Sequence, residues 1–213
     1  MTIVSMNVGL PREVEWQGQI ITTGIFKDPI RGRRMLRTLN LDGDGQADLE
    51  VHGGTHKAAY CYPSEHYSYW KRELRRDDLP YGTFGENFTT EGLDEESVHI
   101  GDEFSIGTAR VVVTQPRMPC YKLGMRFKSN EMVKRFLASR RSGFYLAVTR
   151  EGEVGVGDAF QRIVQHLAGV RVSDITRVYV AKTYGPDDER IVHKALEVDA
   201  LPESWKEHLR RRL

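Results

Sequence analysis

Ala109-Arg-Val-Val-Val-Thr-Gln-Pro-Arg-Met-Pro-Cys-Tyr-Lys-Leu123 runs from an apolar strand into a stiffened exit. The apolar run at 111–113 reads as a buried strand, and Pro116 and Pro119 then restrict the backbone to extended conformations. Cys120 is thereby fixed where the chain leaves the strand. Segments of similar texture lie on both sides: residues 3–10, 20–26, 83–90, 98–106, 144–149 and 154–163 are short, apolar and punctuated by glycine. Short strands divided by turn signals predict a mainly β protein whose strands close, or nearly close, into a β-barrel, because closure removes exposed edges. Val98-His-Ile-Gly-Asp-Glu-Phe104 and Val154-Gly-Val-Gly-Asp-Ala-Phe160 echo each other. They read as two similar turns, with glycine at positive φ and aspartate hydrogen-bonding its own turn, and are too short to mark a duplicated unit.

A few helices accompany the barrel. Ser64 can cap one in which Tyr67, Trp70 and Leu74 recur at three- and four-residue spacing, with Lys71, Arg72, Glu73, Arg75 and Arg76 on the other face. A second, over residues 130–141, carries Met132, Val133, Phe136 and Leu137, and Gly143 reads as its stop signal. After residue 163 the texture changes to three short amphipathic helices at 173–184, 187–198 and 202–209. The predicted organisation is a β-barrel domain over 1–163 and a small C-terminal three-helix domain over 164–213. Helices this short must pack on each other or on the barrel, and a docking or capping role fits them.

The chain has 213 residues, with Lys and Arg totalling 31, Asp and Glu 30, and a formal net charge of +1. That balance argues against a nucleic-acid polymer as partner and against a polybasic membrane binder, without excluding a local basic pocket. With 39% hydrophobic and 29% charged residues the composition is that of a globular protein. Two cysteines, Cys61 and Cys120, allow at most one disulfide, so a reducing, cytoplasmic setting is expected. No apolar run approaches the roughly 20 residues needed to cross a bilayer, and no secretory leader is legible.

Three segments carry candidate chemistry. Arg117 and Lys122 flank Cys120, and nearby cations favour the thiolate that attacks electrophiles or binds metals; the alternative is a small buried hydrophobe. His52-Gly53-Gly54-Thr-His56-Lys57 can form a backbone nest for an anion such as phosphate, or simply a tight turn with solvated histidines. Zinc is disfavoured there, since the glycines oppose the helix that would align His52 with His56. Lys27, Arg31, Arg33, Arg34 and Arg37 can hold a polyanionic ligand or form a solvated face. Asn87, in Gly85-Glu-Asn-Phe88, can read a ligand with its amide or take a left-handed turn conformation. Asp42-Gly-Asp-Gly-Gln-Ala-Asp48 lacks the glutamate that would complete a calcium loop, position 53 being glycine.

Taken in order, Lys27-Asp-Pro, Gly43-Asp-Gly-Gln-Ala-Asp48, His52-Gly-Gly-Thr-His-Lys-Ala58, Tyr62-Pro-Ser-Glu-His66, Gly85-Glu-Asn87, Ile100-Gly-Asp102 and Gln115-Pro-Arg-Met-Pro-Cys120 resemble the MOSC domain family. More narrowly they resemble its stand-alone bacterial YiiM-type members, which also carry three helices after the barrel. The resemblance implies a barrel that binds the molybdenum cofactor, a pterin dithiolene with a terminal phosphate, with Cys120 as the one protein ligand to molybdenum. It maps the cofactor pocket onto Lys27, His52, Gly53, Gly54, Lys57, Asn87 and Arg117, and more loosely onto Arg33. The implied reaction is detoxifying: reduction of small N-hydroxylated compounds, such as N-hydroxylaminopurine bases, to the amine and water. No flavin fingerprint or iron-sulfur cysteine cluster is legible, so the electrons are expected from a separate flavin or iron-sulfur reductase. A sulfur carrier or cofactor-handling module using a Cys120 persulfide or thiolate is the alternative, and a monomer or homodimer is expected.

Overall fold

The structure, a computed structural model, describes residues 1–47 and 53–213. Its elements begin with β1 (Thr2–Val8), β2 (Arg12–Trp16), β3 (Gln19–Thr23), β4 (Asp28–Ile30), β5 (Arg34–Leu36), a 3-10 turn at Thr55–Lys57, β6 (Ala59–Pro63) and α1 (Glu65–Leu74). They continue with β7 (Phe88–Glu91), β8 (Glu103–Ile106), β9 (Ala109–Pro116), α2 (Tyr121–Phe127), α3 (Glu131–Ser139), β10 (Phe144–Arg150), β11 (Gly152–Val154) and β12 (Gln161–Val164). Three helices end the chain: α4 (Val172–Val180), α5 (Pro186–Leu196) and α6 (Glu203–Arg210). No helix among the described residues is long and apolar enough to cross a membrane.

The mainly β expectation holds. Eight strands form one half-barrel sheet in the order β12-β8-β9-β10-β6-β7-β1-β4, while β5 pairs with β11 and β2 with β3. The sheet's two ends do not form a ladder with each other. Instead β1 reaches the segment leading into β12: the Ile3 amide donates to Asp158 O at 3.0 Å, Gly157 to Ile3 O at 2.8 Å and Phe160 to Met1 O at 3.0 Å. The barrel is thus nearly closed, by backbone bonds between β1 and the turn before β12.

Strand β6 lies between two cores. All five of its residues are buried, and strand alternation sends Ala59 and Cys61 to one core and Tyr60 and Tyr62 to another. The first core fills the half-barrel with Ile3, Phe104, Val111, Val113 and Leu146. The second is aromatic, with Trp70, Phe84 and Phe136 lying under α1, α2 and α3. The Trp70 and Phe136 rings stack with centroids 5.9 Å apart.

Several elements differ from the sequence expectation for identifiable reasons. Residues 83–87 are a turn, not part of a strand, because it wraps a buried carboxylate: Glu86 accepts from the amides of Gly82 at 2.8 Å and Phe84 at 3.1 Å and from the Tyr67 hydroxyl. Residues 121–127 form α2, a helix the sequence reading did not include. Gly143 does not end α3, which stops at Arg140 with φ 56; it lets β10 pass β6, since a Cβ there would lie 2.3 Å from Cys61 O. The two Gly-Asp turns match each other closely. Gly101 and Gly157 both have φ 89, and in each turn the aspartate accepts the amide three residues before it, His99 to Asp102 at 3.0 Å and Gly155 to Asp158 at 2.8 Å.

The three C-terminal helices form as expected, and they pack on the barrel as well as on each other. Val172, Ile175, Val178, Val192 and Leu209 belong to the same buried cluster as Val111 and Phe104. The chain entering α4 also bonds to the barrel, Ile100 N–H to Val170 O at 2.8 Å and Val172 N–H to Val98 O at 3.0 Å. Burial is therefore continuous across residue 163. Ile175→Ala should cost about 2–5 kcal/mol and lower the melting temperature of the whole chain by roughly 5–15 °C in one calorimetric transition. A separate transition for the helices would contradict the shared core.

Candidate functional site

Strand β9 delivers the loop that carries Cys120. Its last residues pair with β10, Tyr145 opposite Gln115 and Phe144 opposite Pro116, and the Arg117 amide extends the ladder to Gly143 O at 3.4 Å. Cys120 then caps α2 in an extended conformation, its carbonyl accepting the Leu123 amide at 2.9 Å. The side chain is half-buried, and it lines a cleft of about 100 Å³, partly open to solvent. Lys27, Lys57, Arg117 and Lys122 line the same cleft, together with Tyr60, Tyr145, Asp44, Gln46 and Asn87.

The cations are held in different ways. Arg117 is buried, its guanidinium 5.1 Å from the centroid of the Tyr60 ring and 5.2 Å from that of Phe136. Burial opposes its charge, but Tyr60, Tyr145 and Cys120 more than offset that and hold its pKa above the ordinary value. Its Nη1 is buried and without a hydrogen-bond partner among the described residues. Burial in turn raises the phenols of Tyr60 and Tyr145, against the pull of Arg117, so both stay neutral proton carriers at neutral pH.

Lys27 is paired at the floor of the cleft. Its ammonium bonds to Asp44 Oδ1, which also accepts the Gly9 amide at 2.9 Å, while Asp44 Oδ2 accepts Asn87 Nδ2 at 2.8 Å. Asn87 Oδ1 in turn accepts the Tyr60 amide at 3.1 Å. Both residues line the cleft, yet their polar groups are engaged in joining three segments of backbone. Asn87 is not in a left-handed turn, since it is absent from the residues with positive φ.

Other predicted residues fall outside the cleft lining. Arg33 forms a bidentate pair with Asp158, at 3.1 and 2.9 Å, and bonds Glu153 O at 3.0 Å. Arg37 pairs likewise with Asp42, so the basic loop does not converge on one ligand. Gly53 and Gly54 do not line the cleft, and the Gly54 amide donates to Gln46 Oε1 at 3.0 Å. His52 and Asp48 lie outside the described residues. Sequence reasoning missed Tyr60, Tyr145, Asp44 and Gln46 and left Lys122 off the site. Lys122 was legible only as a sequence neighbour of Cys120, and nothing local signals the tyrosines, which the β6–β10 pairing brings together.

The sequence signature of the MOSC domain matches residues 48–161. The chain belongs to the MOSC domain family. It is 40% identical over 205 residues to the uncharacterized protein YflK of Bacillus subtilis (strain 168), covering 96% of this chain and 91% of that one. It is 32% identical over 168 residues to a protein named Reductase from Gibberella moniliformis (strain M3125 / FGSC 7600), covering 78% of this chain and 30% of that longer protein. The crystal structure of YiiM from Geobacillus stearothermophilus superposes with a TM-score of 0.81 at 31% identity, covering 100% of this chain and 98% of that one.

Membership in this MOSC family supports a molybdenum-cofactor-associated function. The donor chemistry of the cleft suits such a group. Among the described residues no cluster of three or more His, Cys, Asp or Glu side chains is placed to hold a metal. Cys120 offers a single soft donor, which suits a metal that arrives with sulfur ligands of its own. The unpartnered Arg117 Nη1 and the flanking lysines suit an anionic, hydrogen-bonding ligand.

Two outcomes follow. Iodoacetamide should alkylate Cys120 and spare Cys61, which is 0% exposed and whose thiol burial pushes well up; mass mapping that finds Cys61 modified first would contradict this. Asp44→Ala should cost about 3–5 kcal/mol in urea unfolding, because it leaves Lys27 buried and unpaired. Burial already lowers the Lys27 pKa from 10.5, so the unfolded chain binds more protons, and the loss should shrink as pH rises towards 10.5.

Proposed function

We propose that this protein reduces small N-hydroxylated compounds, N-hydroxylaminopurine bases among them, using a molybdenum cofactor held in the Cys120 cleft. The observation that carries the reading is Cys120 itself: a half-buried thiol on a ladder-anchored loop, facing a cleft lined by Lys57, Arg117 and Lys122. The match to a protein named Reductase supports redox chemistry of this kind.

Each substrate molecule loses its N–O bond, takes up two electrons and two protons, and leaves as amine and water. When bound, the molybdenum cofactor supplies the two-electron chemistry of that bond cleavage. Cys120 anchors it through one thiolate, and the Arg117 guanidinium stabilises that thiolate by charge attraction. Lys57, Lys122 and Arg117 Nη1 are the groups suited to bind the cofactor's phosphate and pterin edge. Tyr60 and Tyr145 border the same space with neutral hydroxyls, although the Tyr60 hydroxyl already donates to Ser142 O at 2.7 Å. That leaves Tyr145 as the better-placed proton donor. The electrons come from a separate flavin or iron-sulfur reductase.

Protein purified from cofactor-competent cells should carry about one molybdenum per chain and reduce an N-hydroxylated base when given an electron donor. Cys120→Ala should lose both metal and turnover, whereas Cys61→Ala should keep them. Full activity in Cys120→Ala would refute the reading, and an inactive protein bearing a sulfur adduct on Cys120 would point to a sulfur carrier.

A further inference from the structure

The segment that follows Cys120 carries a charge that the rest of the chain does not. Residues 121–141, spanning α2, α3 and the turn after them, hold seven Lys and Arg and a single carboxylate, Glu131, in a chain whose net charge is +1. The carboxylates among these helices are already matched: Glu131 pairs with Lys134 at 3.4 Å, and Glu73 of α1 with Arg135 at 2.8 Å. Cations also occupy a costly place here. Helices α1, α2 and α3 each end on a left-handed residue, Arg75 at φ 53, Lys128 at φ 51 and Arg140 at φ 56, and all three are exposed. Glycine takes that conformation without strain and an L-residue does not. A positive charge suits a helix C-terminus, but a neighbouring helical position gives the same benefit unstrained. Among the described residues Gln17, at the tip of the β2–β3 hairpin, is the one other non-glycine residue with positive φ.

The three helix ends belong to one surface. Arg135 reaches from α3 to Glu73, and the Arg141 guanidinium lies 3.9 Å from the centroid of the Tyr69 ring, so α1 and α3 run side by side in opposite directions. Arg76, Asp78, Arg126 and Phe127 line one cleft, which brings the ends of α1 and α2 together. The nine residues of α3, about 14 Å at 1.5 Å per residue, separate that end from Arg140. Helix α2 starts one residue after Cys120 and is seven residues long, so Lys128 stands about 10 Å along it from the Cys120 loop.

We propose that the exposed face of α1–α3, with Arg75, Lys128 and Arg140 as its contacts, is the docking surface for the electron-donating protein, and that this partner presents a patch of carboxylates to it. The inference rests on the reductase reading above, which needs electrons from a separate protein, and adds to it the place where that protein binds. Cations spread over about 15 Å fall within the roughly 800 Å² that each partner contributes to a standard protein interface. Exposed Asp77 and Asp78 interrupt the same surface, which opposes a nucleic-acid backbone, since that follows a patch or stripe of one sign. Discrete charges of one sign speed the encounter of two proteins and fix their register.

The test compares two electron sources for the same holoenzyme. Dithionite is small and needs no docking, whereas NADPH with desalted soluble protein from the cells that load the cofactor delivers electrons through their own donor protein. With the extract's own rate subtracted, the triple variants Arg75→Glu/Lys128→Glu/Arg140→Glu and Arg75→Gly/Lys128→Gly/Arg140→Gly should lose roughly tenfold or more of the extract-driven rate and keep the dithionite-driven rate. The wild-type extract-driven rate should fall several-fold between about 50 and about 300 mM NaCl, as screening predicts. The glycine variant relieves three left-handed residues, so its melting temperature should be unchanged or higher, which separates lost docking from lost folding. Extract-driven rates equal in wild type and variants, or an extract that drives nothing where dithionite works, overturn the proposal. So does an oligonucleotide of about 20 nucleotides that binds the wild type and not the glutamate variant, since the surface is then one for nucleic acid. A wild type that neither source drives removes the reductase reading, and this surface with it.

Discussion

The guanidinium of Arg117, buried between the rings of Tyr60 and Phe136 beside Cys120, is the charge around which the site is organised. A buried cation is tolerated only when its surroundings return what water would have supplied. Here two ring faces contribute about 1–2 kcal/mol each when desolvated, and the oxygens of Tyr60 and Tyr145 and the Cys120 sulfur provide the rest of the attraction. That requirement fixes β6, β9, β10 and α3 relative to one another, since each supplies one of these groups or the backbone behind it. It also leaves one guanidinium nitrogen without a hydrogen-bond partner among the described residues.

Buried carboxylates do the corresponding work in the loops. Asp44 gathers Lys27, the Gly9 amide and Asn87; Glu86 gathers two amides and the Tyr67 hydroxyl; Asp102 gathers the His99 and His166 amides. Each carboxylate satisfies backbone donors that a turn would otherwise leave unpaired in the interior. Burial raises the Glu86 pKa while those hydrogen bonds oppose the rise. The cleft floor is rigid for this reason. Residues such as Lys27 and Asn87, whose types suit ligand contact, are engaged in the scaffold itself, and the other cations lining the cleft are carried by the Cys120 loop, by α2 and by the 3-10 turn.

The C-terminal helices extend both themes. Their inner faces complete the barrel core, and the edge of that packing, Tyr179, Trp205 and His208, forms a wall opposite Cys120. The small helical segment thus contributes to the core through all three helices and lines a cleft beside Cys120 through α4 and α6.

Much of this was legible residue by residue. Short apolar stretches at 3–10, 109–115 and 144–149 specified strands, three- and four-residue spacing specified α1, α3 and the C-terminal helices, and the paired Gly-Asp echo specified two equivalent turns, because each is a short-range consequence of backbone geometry. The Pro-Arg-Met-Pro-Cys run marked Cys120 for the same reason. What the sequence could not contain was partnership at a distance. Whether Arg33 meets a ligand or Asp158, whether Asn87 reads a substrate or holds Asp44, and whether Tyr145 comes to stand beside Tyr60 depend on which strands pair. Local propensity determined the elements and the thiol; only the tertiary pairing of β6, β9 and β10 decided which charges and rings surround it, because Coulomb and hydrogen-bond energies act on separations in space and not along the chain.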